Sequence, residues 1–138
     1  YSRGLGYKKI NILIIFKYEI IFKYILRKVF KMSKKHYICT HTWSNTDTIK
    51  DVLAQQSEMT VREFFAGLKS DKAETLQHWM GKDDFFFCHW YAEDEESIID
   101  VLEKAGLNDL IVTMPSEMQR YITSDQISDE KLINPFKI

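Results

Sequence analysis

A chain of 138 residues is the length of one domain, and 45% hydrophobic with 28% charged residues is an ordinary globular composition. The net charge of −1 conceals an asymmetry: residues 1–31 hold eight Lys and Arg against one acid, Glu19, which leaves eleven basic and nineteen acidic residues from position 32 onward. That acidic remainder argues against a nucleic-acid backbone as partner, and an aromatic share of 14% calls for a dense core or a lined pocket.

The first segment carries the apolar run Ile10–Phe30, which Lys17, Glu19 and Lys23 interrupt. No uncharged piece approaches the roughly 20 residues that span a bilayer, and no small-residue cleavage site follows. Its Lys, Ile, Phe, Tyr and Asn content resembles translated AT-rich DNA, and Met32-Ser-Lys-Lys reads as a start. Residues 1–31 are expected to be non-native upstream translation, or else a basic amphipathic leader lying on a membrane surface. A membrane partner enters only in the second case.

From Met32 the pattern reads strand, helix, strand, strand, helix, strand and a polar tail. His36–Trp43 alternates as a strand. Ser44-Asn-Thr-Asp ends it and can cap a helix over Thr46–Gln56. Thr60-x-x-Glu63 is a capping box, with Val61, Phe64, Phe65 and Leu68 at helical spacing behind it. Ala73–Met80 and Phe85–Ala92 are strands joined by the turn Gly81-Lys-Asp-Asp84. Asp94 caps a helix that runs to Lys104 and stops at Ala105-Gly106. Asp109–Met114 is the last strand, closed by Pro115, so the domain is expected to span 32–115 and residues 116–138 to pack on it or on a partner as a tail.

This βαββαβ order predicts an α+β domain of ferredoxin-like type, with a four-stranded antiparallel sheet and helices on one face only. The bare face is where function is expected. With Met80 opposite Phe85, alternation places Leu76, His78, Phe85, Phe87, His89 and Tyr91 on one side of the hairpin, and Gln77, Trp79, Phe86, Cys88 and Trp90 on the other. His78 and His89 become diagonal neighbours, and His41, alternating with Tyr37 and Cys39 on the first strand, joins them. Imidazoles grouped in this way suit nickel, zinc, copper or iron, or acid–base work near neutral pH; a single strand histidine is more often a structural or surface residue than a ligand.

Other motifs point to structure rather than chemistry. Trp43, Trp79 and Trp90 fit core or dimer contacts better than substrate stacking. Cys39 and Cys88 have no CxxC spacing and sit in apolar strands, so they read as reduced, buried thiols of a cytoplasmic protein. Glu93-Asp-Glu-Glu96 at a helix start is dipole compensation. There is no glycine-rich phosphate loop, nucleophile elbow or HExxH in the sequence.

The segment Phe87-Cys88-x-x-x-Ala92-x-Asp94-Glu95-Glu96, followed by Ile98 and Ala105-Gly106-Leu107, resembles the small ferredoxin-like proteins of the dimeric α+β barrel superfamily. It is most similar to an uncharacterised family with some nickel-binding members, in which a His often occupies the place of His41. The likeness covers residues 36–114. It implies a homodimer built through the open sheet face and a divalent transition metal, such as nickel, as cofactor. The same superfamily contains small monooxygenases.

The resulting expectation is a homodimer that binds a metal ion or small molecule in a His- and aromatic-lined cavity on the open sheet face. His41, His78 and His89 are the candidate metal ligands, and Trp43, Phe87 and Tyr91 line the cavity. A monooxygenase- or isomerase-like enzyme using that cavity, and a structural or regulatory dimer without a ligand, are the alternatives; no residue is singled out as catalytic.

Overall fold

The computed structural model describes residues 4–31 and 33–136. They fall into two units, one ending at Ser33 and one beginning at Lys34. The first is a single helix, α1 (Gly4–Lys31), whose side chains from Asn11 to Val29 are all exposed. Among the described residues no helix is long and apolar enough to cross a membrane.

The second unit begins with β1 (Lys35–Trp43), where Tyr37, Cys39 and His41 are buried in alternation with half-exposed Ile38, Thr40 and Thr42. Asn45 ends the strand by accepting the Asp47 N–H at 2.9 Å, which starts a 3-10 turn leading into α2 (Ile49–Ser57). Thr60 and Glu63 form the expected capping box of α3 (Val61–Gly67): each backbone N–H donates to the other's side chain, at 2.8 and 3.1 Å. The first crossover is therefore two short helices, and neither contains a fully buried residue.

The hairpin of β2 (Ala73–Met80) and β3 (Phe85–Ala92) follows. In α4 (Glu95–Lys104) the Asp94 carboxylate accepts both the backbone N–H and the hydroxyl of Ser97, at 2.7 and 2.6 Å. Ile98, Val101 and Leu102 turn inward, and Gly106 takes the left-handed conformation (φ 75°) that releases the chain from the helix. The last strand, β4 (Ile111–Met118), runs straight through Pro115 instead of stopping before it. It can do so because β4 lies at the sheet edge, where a residue without an N–H need leave no ladder bond unmade. The strand thus ends later than expected, and the tail begins beyond Met118.

All pairings are antiparallel and the strand order is β2-β3-β1-β4. Ala73, Tyr37, Cys39, Phe86, Cys88 and Trp90 line one face and share a core with Ile98, Val101 and Leu102 of α4 and with Leu68 after α3. Each such fully buried aliphatic side chain contributes about 1.5–3 kcal/mol. Within this unit no described helix packs on the opposite face. Tyr121 of the tail does: its ring lies 4.4 Å from that of His36 and 4.5 Å from that of His89.

The hairpin register corrects the sequence expectation. Ala73–Thr75 pair as alternation predicts, with Thr75 opposite Trp90. At Leu76 the register shifts by one, so Gln77 faces His89, His78 faces Cys88, and Met80 faces Phe86 rather than Phe85. A β-bulge of this kind moves every later side chain on its strand to the other face. His78 and Met80 therefore lie on the helix-covered side, and Gln77 and Trp79 on the open side.

Candidate functional site

The helix-covered face ends in a row of rings across three strands. On β1, position 41 pairs with Phe86 of β3 and with Thr113 of β4. The His41 ring stacks on Phe86 with centroids 4.7 Å apart and planes 19° from parallel, and its Nδ1 shares a hydrogen bond of 2.9 Å with Thr113 Oγ1. On the far side of Phe86 stands His78 of β2, edge-on at 5.9 Å and within 5.0 Å of the Phe64 ring. Its Nδ1 lies 3.3 Å from Cys88 Sγ. Trp43, 5.2 Å from Phe86, closes the end of the row.

These residues line an apolar pocket of about 30 Å³ between the sheet, α4 and the first crossover, with Val52, Phe64 and Leu102 among its walls. That is room for one or two waters or the tip of a ligand, not for a whole ligand. Trp43 and Met80 also line a second, more open groove of about 560 Å³, whose other wall is the turn Gly81–Asp84. A groove of that size lies within the usual range for small-molecule sites. Groove and pocket adjoin at Trp43 and Met80, which line both, and are named together the stepped cleft.

Two of the polar atoms in the pocket walls have no partner. His41 is 1% exposed and Trp90 fully buried, yet His41 Nε2 and Trp90 Nε1 make no hydrogen bond. Buried polar groups in that state cost about 1–3 kcal/mol each. Trp90 Nε1 can only donate; His41 Nε2 accepts or donates according to which way the Thr113 hydroxyl points. Burial, and secondarily the nearby His78, lowers the His41 pKa to about 4, so the ring is neutral at physiological pH. Burial lowers His78 as well. Burial also pushes the Cys88 thiol up to about 12, as it does Cys39 with a further contribution from Cys88. A neutral thiol beside a neutral imidazole is not an activated nucleophile.

The expected site residues divide between the two faces. His41, His78 and Trp43 line the cleft. His89, Phe87 and Tyr91 lie on the open face, where His89 Nε2 sits 2.8 Å from Nδ1 of His36 and the Tyr91 ring lies tilted against that of His36 at 4.9 Å. The three candidate metal ligands thus do not converge, and among the described residues no group of three or more His, Cys, Asp or Glu is arranged to hold a metal ion. The bulge accounts for the difference on β2, and the pairing of His41 with Phe86 accounts for it on β1. Phe86 and Trp90, which unbroken alternation places on the face opposite His78, line the pocket with it, as does Met80. His36, whose parity on β1 is opposite to that of His41, is the partner of His89, and that parity is the sequence signal for the pair.

No protein-family profile, curated protein or solved structure matches this chain.

Proposed function

We propose that residues 34–118 form a ferredoxin-like domain that binds a small molecule in the stepped cleft, with the body of the ligand in the groove and its tip in the inner pocket. The β2-β3-β1-β4 order with two helical crossovers supports the fold assignment. One observation carries the function: two buried polar side chains, His41 and Trp90, each keep a ring nitrogen without a hydrogen-bond partner in the wall of an inner pocket that shares Trp43 and Met80 with a groove open to solvent. A ligand that reaches them recovers hydrogen bonds that the protein alone leaves unmade. Helices α2 and α3 of the first crossover hold no fully buried residue, and the wall they form yields at low cost to an entering tip.

The Trp90 indole N–H is a direct reporter. With 2-phenylethanol as probe on the full chain, the proton resonance of Trp90 Nε1 is expected to move downfield and saturate. Replacing Met80 by Trp, which narrows the throat, is expected to weaken the effect. A Trp90 signal that ignores every small aromatic alcohol at millimolar concentration refutes the reading.

A second reading concerns the other face. Trp79, Phe85, Phe87, Val112 and Met114 are each between 38% and 55% exposed there. Together they leave on the order of 500 Å² of apolar surface in one patch, as much as monomers usually show. Strand pairing puts only uncharged residues around them, with Glu74 at the far corner. A second copy meets such a face without like-charge repulsion, which supports a homodimer. Met114→Glu is expected to shift sedimentation from dimer to monomer; a wild-type chain that sediments as a monomer at tens of micromolar contradicts the dimer.

A further inference from the structure

The cleft is polar at both ends, and the two ends differ in charge character. Its inner end has no fixed charge: His41 and His78 are neutral, Trp90 Nε1 donates, and the remaining wall is largely apolar. A carboxylate delivered there would lose its hydration with no cation to meet it. The group that belongs at the inner end is uncharged and offers a hydrogen-bond acceptor to the indole N–H.

The outer end is acidic. Asp83 and Asp84 line the groove beside Lys82, a local excess of one negative charge. Among the described residues neither aspartate forms an ion pair. The surrounding sequence reinforces the sign, since residues from 32 onward carry nineteen acidic and eleven basic side chains. A field of that sign concentrates cations at the mouth and repels anions. Between the two ends, Trp43, Ile49, Leu53 and Met80 provide an apolar wall suited to a ring.

We infer that the ligand of this cleft is an arylalkylamine: its ring lies against Trp43 and Met80, its uncharged hydrogen-bonding end reaches the inner pocket, and its ammonium group stays at the Gly81–Asp84 turn. The inference rests on the small-molecule reading given above and narrows it to one chemical class. The acidic turn alone does not carry it; the buried, unpartnered His41 and Trp90 at the opposite end of the same cleft supply the independent reason for a ligand.

Three probes of one shape separate the possibilities: tyramine, tyrosol and 4-hydroxyphenylacetate, which share a phenol and differ only in ending as ammonium, alcohol or carboxylate. Binding to the full chain is followed by the Trp90 indole resonance at low ionic strength. Tyramine is expected to bind about three- to tenfold more tightly than tyrosol, the range for two exposed carboxylates acting on one cation. The carboxylate is expected to bind most weakly. The preference for tyramine is expected to shrink as salt is raised to about 0.5 M, and to vanish in the double variant Asp83→Asn, Asp84→Asn. Equal binding of tyramine and tyrosol, or tightest binding of the carboxylate, overturns the amine assignment and leaves the small-molecule reading standing. If none of the three moves the Trp90 resonance, the cleft is not a binding site and both fall. The salt series in the wild-type chain decides the question even if the double variant folds poorly.

Discussion

Acid should unfold this protein in large part through His41. The unfolded chain binds a proton at His41 near the ordinary value of 6.5, whereas burial holds the folded value at about 4. Below 6.5 the unfolded state therefore takes up the proton first, so His41's share of the stability is complete above 6.5 and drains away as pH falls toward and through 4. The full shift corresponds to about 3 kcal/mol, of which about 2 kcal/mol is lost between about pH 7 and pH 5. For a unit of this size that lowers the melting temperature by roughly 8–16 °C. His36, His78 and His89 are all depressed by burial and act in the same direction. The control is His41→Phe, which keeps a ring against Phe86 while removing the titrating nitrogens and leaving the half-buried Thr113 hydroxyl to find water. Melting of the full chain across the range, followed by circular dichroism, should show a much flatter acid limb in the variant. An acid limb as steep in His41→Phe as in the wild type refutes the argument, because the steepness would then belong to other groups.

Three further substitutions test the fold. Asp94→Ala removes the carboxylate that accepts both the N–H and the hydroxyl of Ser97, and should cost about 1–2 kcal/mol in urea unfolding; a loss below a few tenths would mean that α4 is held by packing alone. Ile98→Ala empties a fully buried position under the sheet and should cost about 2–5 kcal/mol, with a smaller loss indicating that the core closes around the gap. Gly81→Ala places a Cβ against the Phe85 carbonyl oxygen, so the turn must shift. It should lower stability by about 1–3 kcal/mol and weaken the cross-strand contact of Met80 with Phe86 seen by nuclear Overhauser effects; unchanged contacts would show that the turn has slack.

The sequence conveyed the elements far better than their faces. The capping box at Thr60, the Asp94 cap and the Gly106 exit depend on neighbours within a few positions, and each lies where local grammar puts it. Alternation on β3 was equally legible, because Phe86, Cys88 and Trp90 bury together without interruption. Pro115 was misread because its effect depends on whether β4 is an edge strand, a property of the whole sheet. The register of β2 was legible only as far as Thr75, since nothing in Thr75-Leu76-Gln77 announces a bulge.

That one unpaired residue decides the chemistry of the site. Without the shift at Leu76, His78 would stand opposite Phe87 on the open face, within reach of His89, and the pocket would have Trp79 in its wall. With it, His78 lies at the edge of Phe86 and meets Cys88, His89 is left to pair with His36, and the imidazoles divide into two pairs on opposite sides of the sheet. A bulge costs ladder hydrogen bonds and persists where the surrounding structure gains from it. Here the gain is visible on both faces: a ring-lined inner pocket under the helices, and an apolar patch on the other side from which Trp79 projects. The place of His78 beside Cys88 is therefore a consequence of backbone geometry at position 76, and the make-up of the pocket wall depends on the same residue.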